Sequence, residues 1–157
     1  MKYIYPVSWW SKSVIPEFNE WGFLPEGIHQ TSLDEFKERF AIFAGSDRRF
    51  RLFEQLERLI IDAQRSGIVR RVLVAGSFVS AKPAPNDFDS ILILRTDIFD
   101  KALKPFHYNL VAGQRARRMY GGDVLSAVEG SQALERLLDF FQTSRDGRTI
   151  GIVEIQL

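Results

Sequence analysis

Residues 76–94 read GSFVSAKPAPNDFDSILIL, and how this stretch divides decides the fold. The apolar run DSILIL has the length and β-branched content of a buried strand. The strand VRRVLVAG before it ends at Gly76, and a proline-bearing loop joins the two. Side chains alternate along a strand, so Asp87 and Asp89 project to one side and Phe88 to the other. Their Cα atoms then lie about 6.5–7 Å apart. Anions at the mouth of an apolar run cost folding energy unless a partner compensates them. Two like charges this close favour protonation of one or capture of a cation. A hard divalent ion such as Mg2+ or Mn2+, which takes oxygen ligands and shares them with phosphates, suits such a pair. Gly76 allows a ligand to approach the backbone and Ser77 offers a hydroxyl, the parts from which a phosphate grip is made.

A third acid stands at Asp123 in YGGDVLSAVE, at the start of another predicted strand. Beside the Asp87 strand, it completes a trio able to hold two metal ions, with Glu129 a weaker substitute. Behind a glycine pair, Asp123 also reads as an ordinary turn residue. Lys82 lies in the intervening loop, where it either reaches a phosphate or stays solvated. Asn86 suits the turn before the strand. Arg115, Arg117 and Arg118 in GQRARRMY form a dense basic cluster just ahead of Asp123. A solvated helix face is the default for them, and a phosphate or RNA contact the alternative. His29 and His107 lack metal-ligand spacing and read as structural.

Outward from this centre, DRRFRLFEQLERLIIDAQRSG is a helix with Phe50, Phe53, Leu56, Leu59, Ile60 and Ala63 on one face and Gly67 as its C-terminal stop. Before it, TSLDEFKERFAIFAG sets Ser32 three residues ahead of Glu35, a capping-box spacing. Leu33, Phe36, Phe40 and Phe43 follow at helical intervals up to Gly45. Residues 98–120 read as helical with a break at Pro105, SQALERLLDFFQTSRDG as a further helix, and RTIGIVEIQL as a closing strand. Alternating helices and strands after a helical start predict an α/β or α+β fold, a small mixed sheet flanked by helices. Trp9, Trp10, Phe18, Trp21 and Phe23 make residues 1–30 too aromatic for a free tail, so an irregular arm packed on the core is expected. With no linker or repeat, residues 1–157 are expected to form one domain.

The balance of 21 basic and 20 acidic residues leaves a net charge of +1, so electrostatic recognition has to come from local patches. The chain has no cysteine, which excludes disulfides, thiolate metal sites and a cysteine nucleophile. No signal-peptide core interrupts the start and no stretch approaches the ~20 apolar residues of a membrane span. A cytoplasmic protein without a membrane partner is the expectation.

The order GS, short loop, DFD opening an apolar strand, and a later strand Asp resembles the nucleotidyltransferase superfamily with the DNA polymerase beta-like fold. LPEGIHQTSLDEFKERF, DRRF, GSFVSAKPAPNDFDSILIL and GIVEIQL, which span residues 24–157, are similar to a bacterial family of small stand-alone proteins of that fold. The resemblance implies that Gly76 and Ser77 touch a triphosphate, that Asp87 and Asp89 bind Mg2+ or Mn2+, and that Asp123 helps to activate an acceptor hydroxyl. It implies transfer of an NMP from an NTP to a protein or RNA hydroxyl, tRNA included, in a toxin-antitoxin or defence module. The alternative is a regulatory protein that keeps the fold and binds a nucleotide or a partner without transfer.

Overall fold

The computed structural model describes residues 15–42 and 47–157; Trp9, Trp10, Phe43 and Gly45 lie outside them. Five strands form one mixed sheet in the order β1-β5-β2-β3-β4. They are β1 (Gly27–Thr31), β2 (Val69–Ala75), β3 (Asp89–Leu94), β4 (Asp123–Val128) and β5 (Gly151–Ile155). β2 runs antiparallel to β3 and to β5, whereas β3 with β4 and β1 with β5 are parallel pairs. The α+β expectation therefore holds, with helices on both faces of a mixed sheet.

The two faces follow from the alternation within the strands. Leu92, Leu94, Val72, Val74, Val124, Val153 and Ile155 join one core cluster with Leu56, Leu59, Ile60 and Ala63. Those last four belong to α2 (Asp47–Ser66), and Leu110 and Ala116 in the same cluster belong to α3 (Tyr108–Val111) and α4 (Gly113–Tyr120). On the opposite face Leu73, Ala75, Ile91, Ile93, Ala127 and Ile152 are covered by Leu134, Leu137 and Leu138 of α5 (Gln132–Phe141). β3 is thus buried on both sides, the reason its sequence is a continuous apolar run.

Ser32 caps α1 (Leu33–Phe36), accepting from the Glu35 amide at 3.2 Å. The Glu35 carboxylate accepts instead from the Thr31 hydroxyl at 3.0 Å, and the helix widens into a π-helical turn at Lys37–Ala41. Along α2 the buried face holds Phe53, Leu56, Leu59, Ile60 and Ala63 as the periodicity requires, but Phe50 is exposed and Arg49 is buried in its place. The chain leaves α2 through Gly67 at φ +70°.

Two expectations need correction. Residues 27–31 are not irregular: they pair in parallel with β5 from Gly27 opposite Gly151 to Thr31 opposite Ile155. Residues 98–120 are not one kinked helix. Short 3-10 turns at Ile98–Asp100 and Pro105–His107 precede the two brief helices α3 and α4, because Pro105 cannot donate within a helix and disfavours helical backbone at Lys104. The histidines are structural as expected. His107 is buried, accepting from the Lys104 amide at 3.0 Å with its other ring nitrogen 3.1 Å from the Ser66 carbonyl. His29 meets the Pro25 carbonyl at 2.7 Å. No helix among the described residues is long and apolar enough to cross a membrane.

Candidate functional site

The candidate site lies where β2 ends and β3 and β4 begin. β2 closes at Ala75, and Gly76 turns the chain at φ +75° into the 3-10 turn Gly76–Val79. Antiparallel pairing sets Ala75 opposite Asp89, so the Asp89 carboxylate folds over Gly76. A Cβ on Gly76 would meet Asp89 Oδ2 at 2.1 Å. Glycine is therefore required twice here, by the left-handed backbone and by the close approach.

The returning loop is held by two consecutive arginines at the start of α2. Arg49 is fully buried and donates to the carbonyls of Phe78 and Ser80 at 2.7 Å, of Phe40 at 3.1 Å and of Lys82 at 3.2 Å. Burial lowers its pKa to about 10, so it remains a cation at neutral pH. Arg48 donates to the carbonyls of Pro85 at 3.1 Å and Asn86 at 2.5 Å, immediately before Asp87. Ser80 closes the turn by donating to the Ser77 carbonyl at 2.8 Å, and the Ala81 amide donates to the Gly22 carbonyl at 2.8 Å. The loop between Ser77 and Asp87 is thus pinned along its length. DRRF was visible in the sequence, but nothing local distinguishes a buried arginine that serves carbonyl oxygens from a solvated one at a helix start.

β4 brings the third acid. Asp123 is the register partner of Asp89 in a parallel pair, so both carboxylates emerge on the same face. The Asp123 amide donates to the Phe88 carbonyl at 2.9 Å, and the Ser90 hydroxyl to the Asp123 carbonyl at 3.2 Å. Ser90, an odd polar member of an apolar strand, thereby fastens β3 to β4 at the site. The two preceding glycines have separate tasks. Gly121, at φ +77°, ends α4, and Gly122 lies so close to Phe88 that a Cβ would meet the ring at 2.5 Å. Phe88 itself is fully buried in the α2-side core, as alternation with Asp87 and Asp89 demands.

Among the described residues Arg117, projecting from α4, is the cation paired with these acids. Its guanidinium pairs with the Asp123 carboxylate and stands 3.8 Å from Asp87 Oδ2. One guanidinium among three carboxylates leaves a surplus of negative charge. Asp89 registers it: burial, then Asp87 and Asp123, push its carboxyl up to about 6, against the lowering influence of Arg117. Among the described residues no three Asp, Glu, His or Cys side chains form a metal-holding group, and Arg117 engages two of the three acids. Two carboxylates completed by oxygens of a bound phosphate chain remain a donor set of the type Mg2+ and Mn2+ accept.

Gly76, Ser77, Asp87, Asp89 and Asp123 are therefore gathered at one end of the sheet. The Lys82 side chain is exposed on the loop while its carbonyl serves Arg49. Glu129 does not belong with them. It follows the far end of β4, where it pairs with Arg70 at 2.9 Å, some 20 Å of strand away from Asp123. No curated protein and no solved structure matches the chain. Residues 16–156 match a family of unknown function, DUF6932, and the chain belongs to that family.

Proposed function

We propose that the chain is a metal-dependent nucleotidyltransferase that moves an NMP from an NTP to a hydroxyl of a protein or RNA. The observation that carries this reading is the placement of Asp89, folded over Gly76 on one side and in register with Asp123 on the other. A strand-end turn suited to phosphate and a set of acids are thereby joined at one end of the sheet. Three carboxylates countered by a single guanidinium have no evident use in the apo fold, where they only raise one another's energy.

In this reading Asp87 and Asp89 hold Mg2+ or Mn2+, with Asp123 as a third donor. Bound there, the ion supplies positive charge to the oxygens of the transferring phosphate. Gly76 leaves room for the Asp89 carboxylate against the turn, the Ser77 hydroxyl donates to a phosphate oxygen, and Lys82 adds a mobile charge. Asp123 accepts the proton of the acceptor hydroxyl as its oxygen bonds to the α-phosphorus. The bond from that phosphorus to the β-phosphate bridging oxygen breaks, and pyrophosphate leaves with the electron pair. The pinned loop between Ser77 and Asp87 keeps turn and acids in a fixed relation, so little reorganisation is needed at the moment of reaction. A cytoplasmic toxin-antitoxin or defence module, with tRNA or a partner protein as acceptor, is the setting that resemblance suggests.

A second reading, a nucleotide- or partner-binding regulator without transfer, draws on the engagement of Asp123 and Asp87 by Arg117. One experiment separates the two. The protein is incubated with α-labelled NTPs, Mn2+ and cell lysate, and label is followed into protein and RNA. Transfer lost in Asp87→Ala supports the first reading. No transfer, with nucleotide still raising the melting temperature, supports the second.

A further inference from the structure

We propose that Arg117 is a resident counter-ion that yields its place on Asp87 and Asp123 to a divalent cation and then carries its charge to the phosphate chain of the nucleotide. The inference rests on the metal-site reading above and adds a residue that this reading does not assign. Three observations carry it. The guanidinium bridges the carboxylate that follows the pinned loop and the one that opens β4, contacting Asp123 and standing 3.8 Å from Asp87. It therefore occupies the cationic position between two of the three acids. Its side chain is 57% exposed, and exposed pairs of this kind shift equilibria by no more than about fivefold, so the contact is easily given up. Last, the short helix that carries it is fixed at its end: Gly121 closes α4 and Gly122 packs on Phe88. Released, the side chain swings from an anchored backbone and stays beside the acids instead of leaving with its helix.

Charge balance gives the direction of the exchange. With Arg117 in place the trio retains two uncompensated negative charges, enough to draw a divalent ion. Once the ion has taken over the carboxylates, the guanidinium faces two positive charges and is repelled. The triphosphate that arrives with the ion is then its nearest anionic partner, and a planar fork of N–H donors fits phosphate oxygens better than any other side chain.

The test uses the full chain and calorimetric titration with Mn2+ alone, then with Mn2+ and a non-hydrolysable ATP analogue. Circular dichroism serves as the check on folding. Arg117→Ala is expected to bind Mn2+ alone up to about fivefold more tightly than wild type, because its competitor is gone. The same variant is expected to bind the Mn2+–nucleotide complex about tenfold more weakly, a loss that Arg117→Lys recovers in part. Mn2+ affinity unchanged or weakened in Arg117→Ala overturns the exchange while leaving the metal site standing. Mn2+ uptake by neither protein removes the metal site itself and the exchange with it.

Discussion

Asp89 holds its proton up to about pH 6 because burial, Asp87 and Asp123 all disfavour its ionised form. The folded chain therefore binds that proton more tightly than the unfolded chain, whose carboxyl titrates near 4. Its contribution to stability is present in full below pH 4 and is lost as pH rises through 6. Asp89→Asn removes the charge and should raise the melting temperature at pH 7.5 by about 2–4 °C. That is the shift that ~1 kcal/mol gives in a chain of this size, after discounting for solvent that reaches the group. At pH 4 the two proteins should melt together, and an equal difference at both values would contradict the burial account. The same substitution, like Asp87→Ala, is expected to abolish nucleotidyl transfer, read by the label assay. The acids were legible from sequence because strand alternation puts residues two apart on one face. Arg49 was not, because its partners are carbonyls of Phe40, Phe78, Ser80 and Lys82, which only the folded chain assembles. Arg49→Met is expected to leave several of these acceptors unsatisfied in the interior. The cost is about 3 kcal/mol or more, seen as a fall in melting temperature of about 6 °C or more.

Among the elements, the loop from Ser80 to Asn86 is the one on which the site depends. Ser80 bonds within it, to the Ser77 carbonyl and the Lys82 amide, but most of its order comes from outside, from the two arginines of α2 and from Gly22. Arg48→Ala removes the hold on Pro85 and Asn86 and should increase amide hydrogen exchange across residues 82–88 while leaving β2 and β3 protected. Exchange spreading into the strands would mean that the loop and sheet open as one unit. Strands β2 to β5 and helices α2 and α5 could be read in the sequence because each has a repeating apolar pattern and a stop signal. β1 could not. Gly27–Thr31 is five residues long and sits behind Pro25, and its one strand partner among the described residues is β5, more than 120 positions later. Its burial alternates weakly along an edge, so no local signal marks it. The region between β3 and β4 deceived for the opposite reason. Its helical periodicity is real, but Pro105 and the Ala112–Gly113 junction divide it into turns too short to appear separately in a pattern search.

For the molecule as a whole, the two cores differ in what lies over them. The α2 side is covered by several elements and the other side chiefly by α5, yet the site touches both, since Phe88 faces the first and Asp89 the second. Nucleotide and Mn2+ together should therefore raise the melting temperature in a single cooperative transition. The rise should grow by a constant increment for each tenfold increase in ligand at saturating concentrations. Two transitions would indicate that the α5 face melts apart from the rest.

The position of β5 between β1 and β2 bears on how the chain is made. A growing polypeptide has β1, β2, β3 and β4 in hand well before residues 151–155 leave the ribosome, and until they do the sheet has a gap where its fifth strand belongs. β1 then has nothing to zip onto, and the inner edge of β2 is open to any extended segment nearby. The sheet is thus completed only once residues 151–155 have been made, and a nascent chain stalled short of Gly151 is a natural client for chaperones.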